Sequence, residues 1–95
     1  MIRNVILYTG QVQGVGFRHT TANLAKRFDV AGYVQNLDDG RVRLDVQGSP
    51  TQVQGLLDAI DQTMVGNIQS KDISKPPADP ALGDPNKPNA FGVRR

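Results

Sequence analysis

A glycine-rich stretch at residues 10–18, Gly10-Gln-Val-Gln-Gly-Val-Gly-Phe-Arg18, most constrains how this chain can fold. A run of β-type residues, Ile2 to Thr9, leads into it, and a helix-like segment beginning near Thr20 follows. The glycines therefore lie where a strand gives way to a helix. At such a junction, backbone N–H groups can converge on an anion.

Two features of this stretch suit the binding of a phosphate group. Gly14 and Gly16 tolerate positive φ, which lets successive amides point inward as a nest. The following helix adds unpaired N–H groups and the positive end of its dipole, which stabilises an anion by ~0.3–1 kcal/mol. Arg18 adds a planar fork that can hold two oxygens of one phosphate, with ~1.5–3 kcal/mol from each charge-assisted hydrogen bond. By themselves these residues are equally compatible with a plain glycine turn beside a solvated arginine.

A second segment, residues 32–48, favours the phosphate site. It places Asn36 at the end of one strand, before a turn at Asp38-Asp39-Gly40. Together the two segments closely resemble the signatures of the acylphosphatase family. The first signature, G-x-V-Q-G-V-x-F-R, is matched by Gly10, Val12, Gln13, Gly14, Val15, Phe17 and Arg18. The second, G-aromatic-V-x-N-x-x-x-G-x-V with one further glycine, is matched by Gly32, Tyr33, Val34, Asn36, Gly40, Val42 and Gly48.

This resemblance implies hydrolysis of the carboxyl–phosphate bond of a small acyl phosphate, by direct water attack, to carboxylate and inorganic phosphate. It implies that Arg18 and Asn36 are catalytic, with the neutral amide of Asn36 orienting the attacking water. It also implies a substrate-binding loop made of Gln13, Gly14, Val15, Gly16, Phe17 and Arg18. No cofactor, metal or covalent intermediate is expected.

Length and composition restrict the remaining possibilities. With 95 residues we expect one domain, residues 1–95, that buries roughly 60–70% of its unfolded surface. The absence of cysteine excludes disulfides and a thiolate nucleophile. No apolar run approaches the ~20 residues of a membrane span, and the N-terminus has no charged region followed by an apolar one. A net charge of +2 is too balanced to indicate nucleic acid or membrane as a partner. We therefore expect a soluble cytoplasmic protein. We also expect a monomer.

Hydrophobic periodicity predicts the first half of the fold. Apolar residues at helical spacing predict a helix over 20–28, and alternation predicts strands over 30–37 and 41–47. The dipeptide Asp39-Gly40 predicts a hairpin between those strands. In the strand over 41–47, Val42, Leu44 and Val46 alternate with polar residues, which predicts one covered face and one solvated face.

The second half of the chain is less regular. Ser49 and Pro50 predict the start of a second helix that continues to Met64. Residues 67–74 are a weak strand candidate, residues 75–89 with five of the six prolines an extended loop, and residues 91–93 a short closing strand. This order predicts an α+β, ferredoxin-like split βαβ sandwich, with an antiparallel sheet and two helices on one face. The acylphosphatase resemblance implies the same fold, tightly over residues 8–48 and loosely beyond.

Three residues carry alternative interpretations. His19, the only histidine, stands beside Arg18 and raises the possibility of a phosphorylated nucleophile or general base. We favour a partly exposed residue at the helix start. Asp38 and Asp39 are interpreted as turn residues and not metal ligands, because no third carboxylate stands beside them.

Two other function classes compete with the hydrolase. One is a low-turnover module of the same fold that binds phosphate or carbamoyl phosphate. Such a module would resemble the related domain of a hydrogenase maturation protein. We expect a complete small chain without extensions, which argues against that module. The other is an RNA-binding domain, which would need aromatic residues on its central strands, and residues 41–47 contain none.

Overall fold

The computed structural model describes residues 1–95, in which five strands form one sheet in the order β4-β1-β3-β2-β5. The elements in chain order are β1 (Ile2–Gly10), α1 (Phe17–Ala25), β2 (Val30–Asn36), β3 (Val42–Gly48), α2 (Pro50–Thr63), β4 (Ile68–Ser74) and β5 (Phe91–Arg94), with a 3₁₀ turn at Pro80–Leu82 before β5. The order confirms the predicted split βαβ fold. Neither helix has the length and apolarity that crossing a bilayer requires.

The sheet differs from the prediction at one edge. β1 pairs antiparallel with β3 and β4, and β2 pairs antiparallel with β3, as expected. β5, however, runs parallel to β2, so the sheet is mixed and the wholly antiparallel prediction is wrong for this strand. β4 and β5 lie at opposite edges of the sheet, so the chain between them has to cross from one edge to the other. Residues 75–90 make this crossing and bring β5 to β2.

One face of the sheet holds the main core against the two helices. The side chains between the sheet and the helices are apolar and almost fully buried. From the strands they include Ile6, Tyr8, Val34, Val42, Leu44 and Val46, and from α2 they include Val53, Leu56 and Ile60. The rings of Tyr8 and Phe17 pack at a centroid distance of 5.1 Å, which ties the start of α1 to β1. Burial raises the pKa of the Tyr8 hydroxyl well above its ordinary value, so this group stays neutral.

The opposite face of β3 is solvated only in part, because Arg43 is partly exposed there whereas the end of the strand is covered. Asp45 and Gln47 are both buried there, because residues 77–83 fold back across that end of the sheet. Arg3 makes two hydrogen bonds to the Asp45 carboxylate, at 2.9 and 2.7 Å, and the pKa of Arg3 is raised mainly by this contact. Gln47 is held by main-chain groups of Asp79 and Gly83. A polar residue in a regular alternation can thus be buried when a distant segment supplies its hydrogen bonds.

The two helices begin with different chemistry. α2 starts as predicted, with Ser49 accepting a hydrogen bond from Gln52 N at 3.3 Å and Pro50 in the first turn. α1 starts at Phe17, three residues before the predicted Thr20, because Gly16 takes the cap position with a left-handed backbone. The predicted end at Phe28 is also too late, since residues 26–28 continue only as tighter i→i−3 turns after Ala25.

Gly32 lets β2 and β3 approach closely, and we predict that Gly32→Ala destabilises the fold. Its φ is +138°, and a Cβ at this position would lie 1.8 Å from the Asp45 carbonyl oxygen. We expect a loss of at least ~3 kcal/mol in the free energy of unfolding, measured by urea denaturation. Gly66→Ala is the matched control, because no atom lies within 4 Å of its added Cβ, and it should change stability by less than ~1 kcal/mol. Equal urea midpoints for the two variants would contradict this account.

Candidate functional site

A cleft of about 300 Å³ opens where the β1–α1 loop (residues 11–16) faces the end of β2 and the last strand. Nine residues line it: Val12, Gly14, Gly16, Phe17, Arg18, His19, Asn36, Val93 and Arg95. Arg18 and Asn36, predicted from two separate segments, therefore lie in one cleft. The lining contains no aspartate, so its fixed side-chain charge is positive.

Strand pairing explains why these segments meet. β1 and β2 are both antiparallel to β3, so they run in the same direction and their carboxyl ends lie at the same end of the sheet. Tyr8 and Asn36 are both opposite Val42, from either side of β3. The chain that leaves β1 therefore enters the β1–α1 loop beside the strand end that carries Asn36.

The backbone of the β1–α1 loop has the conformation that the glycines predict. Gly14 and Gly16 have φ of +76° and +79°, in the left-handed region. The amides of residues 14–16 donate to no backbone carbonyl, and the first helical bond runs from Thr20 N to Gly16 O at 2.9 Å. The amides of Phe17, Arg18 and His19 thus have no intrahelical acceptor, as in any first helical turn. This run of unpaired donors at a helix start suits an anion.

Arg18 brings a cation to the same end of the helix. It lies in the first turn of α1 and is partly exposed at the cleft. Its Nη1 donates to the carbonyl oxygen of Arg94 at 3.2 Å, which orients the guanidinium with a single neutral hydrogen bond. No carboxylate neutralises Arg18, since every ion pair of the protein involves other residues. The guanidinium retains donors for an anionic ligand.

Asn36 supplies an unused acceptor. It is the last residue of β2, and its Oδ1 is buried without a hydrogen-bond partner. A buried acceptor without a donor costs ~1–3 kcal/mol, so a donor such as water is favoured at this atom. The carboxamide can both donate and accept, which suits it to orienting a bound molecule.

The other predicted binding residues are placed differently. Gln13 does not line the cleft, and its Nε2 donates to the carbonyl oxygens of Leu37 and Arg41 at 2.7 and 2.9 Å. Val15 lies outside the lining and its side chain is exposed. The ring of Phe17 is buried in the core, which leaves its backbone amide as the group available to a ligand.

The structure also shows the surroundings of His19 and Asp39, for which the sequence left alternative interpretations. His19 is exposed at the cleft edge, with Nε2 3.2 Å from Nδ2 of Asn23. Asp39 pairs with Arg41, whose hydrogen bond lowers the pKa of the Asp39 carboxyl below its usual range. No three histidine or aspartate side chains gather closely enough to hold a metal ion.

Val93 and Arg95 were not predicted as part of the site. They reach the cleft because β5 lies parallel beside β2, in register with residues 32–35. No local pattern in residues 91–95 indicates which strand they will join. Their place in the cleft depends on the path of the preceding loop.

The fold and the cleft together define a small α+β protein with unpaired backbone amides and an arginine at a strand-to-helix junction. The acylphosphatase family model matches residues 4–83. An acylphosphatase of Bifidobacterium longum (strain NCC 2705) is 40% identical over 95 residues, which are 100% of this chain and 94% of that protein. One of Methanospirillum hungatei JF-1 is 36% identical over 73 residues, covering 77% of this chain and 80% of that protein. The chain belongs to the acylphosphatase family.

Solved structures share the fold over the whole chain. The crystal structure of acylphosphatase from Bacillus subtilis superposes with a TM-score of 0.81 at 24% identity, covering 100% of both chains. HypF of T. kodakarensis superposes with a TM-score of 0.78 at 23% identity, over 100% of this chain and 12% of that one. The same architecture therefore occurs both as a small protein and as a part of a much larger one.

The conformation of Gly16 leads to a prediction for anion binding. A valine at φ +79° costs at least ~1–2 kcal/mol, and the loop would relieve that strain by turning its amides. We expect Gly16→Val to weaken binding of inorganic phosphate at least ~10-fold by isothermal titration calorimetry. Gly16→Asn should bind nearly as well as the wild type, because asparagine tolerates this region. Undiminished phosphate binding by the valine variant would refute the role of this backbone.

Proposed function

We propose that this chain works as an acylphosphatase through the cleft described above, with the β1–α1 loop and Arg18 holding the phosphoryl group and Asn36 orienting the attacking water. Acylphosphatase function is the activity of the family to which the chain belongs. One observation carries the assignment of roles: unpaired amides, an unneutralised guanidinium and an unused carboxamide oxygen occur together in one cleft.

Phosphoryl binding uses donors that are already in place. The free amides of residues 14–19 and the remaining donors of Arg18 match the oxygens of a tetrahedral dianion. Because these donors are fixed before the substrate arrives, they need little reorganisation as charge develops on the phosphoryl oxygens in the transition state. The same groups would bind the product, inorganic phosphate.

Hydrolysis of an acyl phosphate depends more on positioning the water and the phosphoryl group than on a strong acid or base. Water attacks phosphorus, the bond from phosphorus to the bridging oxygen breaks, and the carboxylate leaves with the bonding pair. A carboxylate is a stable leaving group and needs little protonation, so catalysis rests on alignment and on charge stabilisation. Asn36 Oδ1 would accept one hydrogen bond from the water, and a phosphoryl oxygen would take the proton that the water loses. The products are a carboxylate and dihydrogen phosphate, so atoms and charge balance.

The assay that tests this function is phosphate release by the purified protein from acetyl phosphate and benzoyl phosphate. A phosphate monoester is the control substrate, since its alcohol leaving group needs protonation that this cleft does not supply. Release from the acyl phosphates but not from the monoester supports an acylphosphatase. Tight phosphate binding without turnover would indicate a binding module instead.

Arg18 is predicted to be essential for turnover. Arg18→Ala should lower kcat/KM for acetyl phosphate at least ~10²–10³-fold, because it removes a preorganised cation from the charge that develops in the transition state. Arg18→Lys should recover little of this loss, since an ammonium group lacks the planar fork. His19→Ala is the control at the same cleft edge and should change the rate far less than the ~10²-fold expected for loss of an acid–base group. An active Arg18→Ala variant would refute the assignment.

Asn36 should affect turnover more than binding. We expect Asn36→Ala to lower kcat by ~10²-fold, because the water loses its alignment. The inhibition constant of inorganic phosphate should change little, since the β1–α1 loop and Arg18 remain. Steady-state kinetics with phosphate as a competitive inhibitor separates the two effects. A parallel loss of kcat and phosphate affinity would show that Asn36 holds the phosphoryl group and not the water.

A further inference from the structure

The side chain of Gln13 joins the two halves of the cleft without lining it. Its Nε2 donates to Leu37 O at 2.7 Å and to Arg41 O at 2.9 Å. These two carbonyls belong to the turn between β2 and β3, which begins directly after Asn36. The turn is itself closed by a hydrogen bond from Leu37 N to Arg41 O at 2.8 Å, so Gln13 attaches to an ordered unit.

No other hydrogen bond connects the β1–α1 loop to the strand that carries Asn36. The remaining long-range hydrogen bonds of this loop join Gln11 to Asn67, near the start of β4 on the far side of β1. Both N–H groups of the Gln13 amide are used, one for each carbonyl, so a side chain of similar size without donors cannot replace it. We propose that Gln13 is a positioning residue that fixes the distance between the phosphate-binding loop and Asn36.

This role differs from a contact with substrate and rests on the proposed function. The groups that would bind phosphate are the loop amides and Arg18, whereas the water would be oriented from the β2 end. Loosening the connection between these two sides should misalign water and phosphorus while phosphate still binds. Because a displacement of about 1 Å can cost ~10²-fold in rate, we expect a fall in kcat of ~10-fold or more with little change in phosphate affinity.

Two substitutions separate the hydrogen bonds from the volume of the side chain. Gln13→Glu keeps the shape but has no donor at neutral pH and sets a carboxylate against two carbonyl oxygens. Gln13→Met keeps the approximate length without charge or donor. Both should lower kcat for acetyl phosphate at least ~10-fold, and both should leave the inhibition constant of inorganic phosphate within about threefold of the wild type.

Coupling to Asn36 is the decisive measurement. If Gln13 acts through Asn36, Gln13→Met should cost less than about twofold in kcat when it is added to Asn36→Ala. If the two residues acted independently, the fold-losses in kcat of the two single variants would multiply in the double variant. A merely structural role would not produce such coupling, because general loosening of the fold affects both backgrounds alike.

Gln47 provides a matched control within the same chain. Its Nε2 also donates to two carbonyls, Asp79 O at 2.8 Å and Gly83 O at 3.0 Å, but it is outside the cleft. Gln47→Glu should lower the unfolding temperature while kcat, measured where the protein is folded, stays within about twofold of the wild type. Circular dichroism of every variant at the assay temperature establishes that it is folded.

The outcomes distinguish this proposal from the function on which it rests. A wild-type protein that releases no phosphate from acyl phosphates would refute the function itself. With an active wild type, the positioning role is overturned if the Gln13 variants keep their kcat, lose phosphate affinity in proportion to kcat, or act independently of Asn36→Ala. Failure of both Gln13 variants to fold would also overturn it, since the residue would then be structural.

Discussion

The pairing of β3 between β1 and β2 is the constraint on which the candidate site depends. Because both neighbours are antiparallel to β3, β1 and β2 run in the same direction. The strand ends that carry Gly10 and Asn36 therefore lie at the same end of the sheet, one on each side of β3. Gly32 permits this pairing at close range, since a Cβ there would collide with the β3 backbone. The unpaired amides of the β1–α1 loop and the carboxamide of Asn36 therefore lie in one cleft as a consequence of sheet register.

The rest of the molecule holds that register in place from two sides. On one face, the helices cover the apolar residues of the three central strands, including Leu44 at the centre. On the other face, Arg3 joins β1 to Asp45 of β3, and Gln47 binds the segment that returns toward β5. That segment also delivers β5 to β2, where Arg94 O accepts a hydrogen bond from Arg18. Structure far from the cleft therefore contributes to the orientation of the guanidinium.

Much of the fold and part of the site were predictable from local patterns. Alternation and helical spacing predicted β2, β3 and both helices, and the Ser49-Pro50 pair located the start of α2. The weaker strand predictions over residues 67–74 and 91–93 correspond to β4 and β5. The resemblance to family signatures selected Arg18 and Asn36, which the structure brings into one cleft. The start of α1 was misplaced because the glycine at its cap has no side chain to signal a helix start, and the early turn is fixed by backbone conformation.

The sequence by itself determined which segments form helices and strands, the left-handed glycines of the loop and the membership of a family, because these depend on neighbouring residues or on recognisable motifs. Only the tertiary structure decided the parallel placement of β5, the burial of Asp45 and Gln47, and the partners of Gln13. Each of these depends on which distant backbone groups come within hydrogen-bonding distance. That proximity is set by the path of the chain between elements, which has no periodic pattern to reveal it.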